Sequence, residues 1–170
     1  MLLILLSPAP SVADLIEPKV DSIYFSGELP LSENKLLDGT GLEIGSSLLR
    51  LTPVQIRDGL VANLNDLGYL DASVDVQWPL WDDETNIVRI SVSPGMRSLL
   101  SGLVFEGNTI FTADSLASVY PGEPGDPITP EDTLTFRNSI LSLYDHRGYI
   151  YSDLDLELMG MSDTSGLSGH

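Results

Sequence analysis

The chain has 170 residues, of which 42% are hydrophobic, so it is long enough to bury one core or two small ones. Its formal net charge of −17 argues against binding to nucleic acid or to an anionic membrane surface, because both need a basic patch. The chain contains no cysteine, which excludes disulfides, thiol nucleophiles and thiolate metal sites.

The first residues resemble the end of a secretory signal. Residues 2–6 are apolar, residues 7–10 contain two prolines, and Ser11 and Ala13 are small residues of the kind that a signal peptidase reads. We interpret residues 1–13 as the remnant of a signal peptide. A clipped start or a chance apolar leader is the alternative, because no basic residue precedes Lys19.

A strand, a short helix and a long helix begin the first predicted unit, which covers residues 20–95. The strand is predicted over 20–25 and the short helix over 31–37. Thr52 and Pro53 then give the favoured order of a helix cap followed by a first-position proline. Four apolar residues recur on one face of this long helix before Gly68 ends it: Ile56, Leu60, Val61 and Leu64.

Two strands complete this unit. Apolar residues alternate with polar ones over 70–78, which is typical of a strand with one buried face. Residues 79–84 predict a hairpin turn, and 86–92 predict a returning strand with Val88 and Ile90 on one face. The order of elements is therefore strand, helix, helix, strand, strand.

The same pattern returns about 80 residues later and predicts a second unit over 99–159. Thr129 and Pro130 begin its long helix, and a second strand is predicted over 150–158. The helix stripe comprises Phe136, Ile140, Leu141 and Tyr144. Turn-forming residues follow, so this unit is expected to lack its last strand and 160–170 is expected to be a disordered tail. We therefore expect the chain to be a fragment of a longer protein or a truncated gene product.

Few side chains could carry out chemistry. His146 lies in the last turn of a predicted helix, where a cation complements the helix dipole, and His170 is terminal. One acidic group is expected to form a turn rather than to bind a metal: Asp82, Asp83 and Glu84. A second group is expected to keep a strand soluble rather than to bind a metal: Asp153, Asp155 and Glu157. No catalytic motif occurs, so the sequence predicts no enzyme, cofactor or metal site.

Taken together, the two units resemble tandem POTRA domains, the polypeptide-transport-associated modules of the Omp85 family of outer-membrane assembly factors. The resemblance covers about 20–159 and rests on three stretches: 23–27 with 103–108, 67–70 with 147–150, and 92–95. It implies an α+β fold in which each β-α-α-β-β unit is a small mixed sheet covered by two helices. It also implies a location on the periplasmic face of the outer membrane and, in the full-length protein, a downstream membrane β-barrel.

The predicted function is that of a polypeptide-binding module in an outer-membrane protein assembly or translocation factor. An edge strand can accept an extended client by β-strand addition. The expected partners are unfolded outer-membrane proteins or accessory envelope proteins, with no nucleic acid and no small-molecule substrate. The alternative is a structural docking domain in a cell-envelope or cell-division complex, although the repeat favours the first function.

The predicted client-binding residues are those of two edge strands: Ala72, Ser73, Val74, Asp75, Val76 and Gln77, and Ser152, Asp153, Leu154, Asp155, Leu156 and Glu157.

Overall fold

The computed structural model describes residues 17–80 and 85–158. The chain divides into two compact units: the first extends to Leu99 and includes Pro127–Thr129, and the second comprises Leu100–Asp126 and the residues from Pro130 onwards. The predicted signal remnant, acidic turn and tail lie outside the described residues, as does His170. The predicted domain boundaries stay a prediction.

A three-stranded mixed sheet with the order β1-β3-β2 forms the basis of the first unit. Strand β1 (Ser22–Gly27) pairs in parallel with β3 (Ile87–Ser93), and β2 (Ser73–Gln77) pairs with β3 in the antiparallel sense. The last strand in the chain therefore lies in the middle of the sheet, with Phe25 and Val76 on either side of Ile90.

Two helices accompany the sheet: α1 (Glu33–Leu36) and α2 (Pro53–Asn65). A capping box begins α2, in which the Thr52 hydroxyl accepts a hydrogen bond from the Gln55 N–H and the Gln55 side chain accepts one from the Thr52 N–H. The predicted stripe on α2 is confirmed by full burial of Ile56, Leu60 and Leu64 in one core with Val88, Ile90 and Val92. The predicted α+β class is likewise confirmed.

The Asn63 side chain joins the two helices. Its amide nitrogen donates hydrogen bonds to the carbonyls of Leu36 and Asp38, each at 2.8 Å. We expect Asn63→Ala to reduce the free energy of unfolding by about 1–2 kcal/mol, because both bonds are lost. Chemical denaturation provides the measurement, and Asn34→Ala, at an exposed position of α1, should change stability by less than about 0.5 kcal/mol. Equal losses would show that the two hydrogen bonds contribute nothing specific.

The second unit contains α3 (Ala113–Ala117) and α4 (Pro130–His146). Leu116, Phe136 and Ile140 form its buried core. The ring of Phe136 meets those of Phe105 and Tyr120 edge to face, with centroids 6.3 and 5.1 Å away. The helix stripe differs from its prediction at one place: Leu143 packs against this core, whereas Leu141 is half-buried and does not belong to it.

The strands predicted in the second unit are not formed in the part that the structure describes. Residues 101–107 and 152–158 have no ladder partner, and residues 150–151 belong to a turn. The first unit gives the physical reason, because both of its outer strands pair only with β3. None of the described residues of the second unit takes the place of β3, so neither segment has a described strand with which to pair.

None of the helices within 17–80 and 85–158 combines the length and the apolar character that a membrane crossing requires.

Candidate functional site

Strand β2 lies at an edge of the first unit's sheet. It pairs with β3 on one side, and no described strand pairs with its other side. This is the geometry in which an extended peptide can join a sheet, because the outer main-chain groups of an edge strand are unpaired. The structure thus places 73–77 in an edge strand, whereas client binding there stays a prediction.

The hydrogen bonds of β3 show which groups of β2 point outward. The Glu28 N–H donates to the Val92 carbonyl at 3.3 Å, so Val92 directs its main-chain polar groups toward β1. Successive residues of a strand point in opposite directions, so Ser91 faces β2 and forms the hydrogen-bonded pair with Asp75. The N–H and C=O groups of Val74 and Val76 consequently point away from the sheet, at the free edge.

The side chains of β2 point alternately to the two faces of the sheet. Val74 is 7% exposed and packs in the core, and Val76 packs partly against it. Ser73, Asp75 and Gln77 are exposed on the opposite face of the strand. An added peptide would therefore meet main-chain groups at the edge, and its own side chains would lie beside one apolar and one polar face.

The other edge of the sheet is partly covered. Just before β1, the Val20 N–H donates to the Ser46 carbonyl at 2.9 Å and the Gly45 N–H donates to the Val20 carbonyl at 2.8 Å. Residues 45–46 of the same unit therefore lie beside the residue that leads into β1. No such segment lies along β2 among the described residues, which makes β2 the better candidate.

The second predicted edge strand, residues 152–157, lies in the second unit and has no ladder partner among the described residues. Leu154 packs against the helix core, and the exposed Asp153 side chain lies 3.5 Å from the Arg137 guanidinium. The internal repeat had already aligned Leu103 and Phe105 with Ile23 and Phe25 of β1. It did not show that residues 101–107 would be a second stretch without a ladder partner.

The described residues offer no catalytic constellation. No group of three or more His, Cys, Asp or Glu side chains among them could hold a metal ion. His146 is bonded through Nδ1 to the Ser142 carbonyl at 2.7 Å, as a residue in the last turn of a helix can be. Burial raises the pKa of the Tyr120 phenol above its ordinary value, and the carboxylates of Asp132 and Asp126 raise it further, so this hydroxyl is neutral at physiological pH.

A groove of about 490 Å³ runs along α4 in the second unit. It is lined by Val119, Thr135, Asn138, Ser139, Ser142 and Leu143. None of these side chains is charged, so the groove lacks the paired acid and base that hydrolytic chemistry requires.

The chain resembles known proteins in sequence and in fold. The sequence model of the POTRA family, described as a surface antigen variable number repeat, matches residues 18–95. No curated protein sequence matches the chain.

Two solved structures share its fold. One is a crystal structure of BamA POTRA domains 3–5 from Haemophilus influenzae, with 21% identity, a TM-score of 0.53, and coverage of 79% of this chain and 52% of that one. The other is BamA from Haemophilus ducreyi lacking POTRA domains 1–3, with 19% identity, a TM-score of 0.65, and coverage of 86% and 27%. The chain thus spans about half of the first structure and about a quarter of the second. The match over 18–95 confirms the resemblance seen in the sequence, and we conclude that these residues form a POTRA domain.

Proposed function

We propose that this chain is a periplasmic polypeptide-binding module of an outer-membrane protein assembly or translocation factor. It binds extended segments of unfolded outer-membrane proteins, or of accessory envelope proteins, by adding them as a strand to β2. The observation that carries the proposal is the unpaired outer edge of β2 in a POTRA domain. The similar solved structures include BamA, which supports a place at the periplasmic face of the outer membrane.

Strand addition explains how one site could accept many sequences. The Val74 and Val76 main-chain groups would supply two donors and two acceptors to any extended peptide, whatever its side chains. The exposed Asp75 beside this edge, in a chain of net charge −17, would disfavour acidic segments. Binding of this kind needs no catalytic residue, cofactor or metal.

Proline substitutions can test the free side of β2 and its paired side separately. Val76→Pro removes an outward N–H, and we expect it to weaken peptide binding by about threefold to tenfold while the sheet remains folded. Asp75→Pro is the matched control, because it removes a donor that bonds to Ser91 within the ladder. The control should reduce the free energy of unfolding by about 3 kcal/mol.

The measurement is a titration of the chain with unfolded outer-membrane protein segments, followed by backbone amide shifts. Shifts at 73–77 that diminish in Val76→Pro support strand addition. Shifts confined to α1 and α2 would show that the edge is not the binding site. If the chain does not bind unfolded segments but does bind a folded envelope protein, it has the docking function instead.

A further inference from the structure

Asp75 is the single charged side chain that β2 presents. It lies at the centre of the outer face of the strand, between the uncharged Ser73 and Gln77, and its side chain is exposed. Across the ladder it faces Ser91 of β3, which is also uncharged. The carboxylate is therefore the one strong electrostatic feature beside the free edge of this strand.

No lysine or arginine compensates this carboxylate. All eight Lys and Arg residues of the chain lie within 17–80 and 85–158, and none of the ion pairs that they form involves Asp75. Arg89 lies diagonal to Asp75 on the same face, opposite Gln77, yet the two charged groups form no ion pair. A cation supplied by a bound segment would thus be the partner that Asp75 lacks.

The hydrogen bonds of β2 determine which client residue meets Asp75. Val74 and Val76 direct their main-chain groups outward, whereas Asp75 bonds to Ser91 within the ladder. Antiparallel pairing is the more stable mode of addition, and in it Val74 and Val76 form the hydrogen-bonded pairs with the client. Asp75 then lies in the non-hydrogen-bonded pair between them, where the Cα atoms are about 4.5 Å apart rather than about 5.5 Å. The client residue opposite Asp75 is consequently the one whose side chain approaches β2 most closely.

The client residues on either side of this position point to the inner face of the sheet. There they lie beside Val74, which is 7% exposed, and Val76, which is half-buried against the same core. Trp78, directly after β2, also packs partly against this core. Apolar client side chains would extend this apolar surface, whereas charged ones would lose hydration against it.

We propose that the β2 edge selects extended segments in which one basic residue stands between two apolar residues, with the basic side chain opposite Asp75. The inference rests on the proposed function, strand addition to β2, and names the class of client that this edge prefers. Opposite charges in directly facing positions of neighbouring strands are favourable, and like charges are unfavourable. Asp75 also sets the register, because a slip by one residue would turn the basic side chain toward the apolar face.

Three short peptides with acetylated and amidated ends serve as probes, so that their termini carry no charge. The first has the order Thr-Ile-Lys-Ile-Thr, and the second has Glu in place of the central Lys. The third, Ile-Thr-Lys-Thr-Ile, has the composition of the first but places threonine at the two inward positions. Each peptide is titrated into the full chain, and the backbone amides of 73–77 are followed.

The first peptide should bind about threefold to tenfold more tightly than either of the others. Its largest shifts should occur at the amides of Val74 and Val76, which are the outward donors. If the Lys and Glu peptides shift these amides with equal affinity, strand addition stands and the inference is overturned. Equal affinity of the first and third peptides would overturn it too. Absence of any shift at 73–77 with all three peptides would overturn both the inference and the proposed function.

Substitutions of two exposed carboxylates separate a specific pair from a general effect of charge. Asp75→Asn should abolish the preference for Lys over Glu, and Asp75→Lys should reverse it. Asp71→Asn is the matched control, because Asp71 is equally exposed but lies in the turn before β2. None of these changes removes a core contact, so the chain should stay folded. Equal loss of the preference in Asp75→Asn and Asp71→Asn would overturn the inference, since net charge would then explain the selection.

A spin label tests the direction of the added strand. The chain has no cysteine, so a nitroxide can be attached to the peptide alone. At the amino end of the first peptide it should broaden the amide signal of Gln77 more than that of Ser73, because antiparallel strands run in opposite directions. The reverse pattern would show parallel addition, which lacks the close pair at Asp75, and would overturn the inference.

Discussion

Gly27→Ala is expected to destabilise the first unit strongly, with a loss of about 3–5 kcal/mol in the free energy of unfolding. Gly27 ends β1 with a φ of 93°, a conformation that an alanine adopts only under strain. An added Cβ would also overlap the carbonyl oxygen of Val92 in β3 and lie 3.2 Å from the Val92 nitrogen. These are backbone atoms of the central strand, so they cannot move aside without disrupting the ladder.

Gly107→Ala is the matched control for this substitution. Gly107 holds the corresponding place in the second unit and has a φ of 75°, yet no atom lies within 4 Å of an added Cβ. Only the conformational strain remains, which costs about 1–2 kcal/mol. Denaturation provides the comparison, followed by the amide signals of β3 for Gly27→Ala and by those of α4 for Gly107→Ala. Equal losses would mean that the contact with Val92 does not constrain position 27.

Leu60→Ala should reduce the free energy of unfolding by about 2–5 kcal/mol. Leu60 is fully buried at the centre of the α2 stripe, between Ile56 and Leu64. Truncation to alanine removes its contacts with the sheet and leaves a cavity that the neighbouring side chains cannot fill completely. The same variant should retain the helix itself, because alanine is a good helix former.

Asp58→Ala tests the phase of that stripe. Asp58 is exposed two positions before Leu60, and its contact with Arg57, 2.8 Å between nitrogen and oxygen, is an ion pair between two exposed side chains. Such pairs contribute little, so the change should stay within about 0.5 kcal/mol. Urea denaturation of Leu60→Ala and Asp58→Ala measures the free energy of unfolding of each variant. Similar losses in the two would contradict the placement of Leu60 toward the sheet.

Local patterns predicted the elements of the first unit well. The spacing of Ile56, Leu60 and Leu64 requires a helix with one buried face, and the cap at Thr52 marks its start. The alternation around Val74 likewise requires a strand with one buried face. These features depend on residues close together in the chain, so the sequence contains the information needed to place them.

Features that depend on distant partners were harder to predict. Whether Val74 or Asp75 directs its N–H outward depends on how β3 is bonded to β1, which no local pattern encodes. The alternation over 152–158 is as regular as that of β2, yet no ladder forms there in the described structure. Alternation indicates that a segment can form a strand, whereas a ladder also requires a neighbour with unpaired main-chain groups.

The central position of β3 has a consequence for the order of folding. During synthesis from the amino terminus, β1 and β2 emerge before β3, and they do not pair with each other in the native sheet. The contact between Asp21 and Asn86, 65 residues apart in sequence, can form only when β3 is present. Closure over such a separation is slow compared with helix formation. The sheet of the first unit therefore cannot be completed before β3 has emerged, and until then β1 and β2 have no partner strand within it.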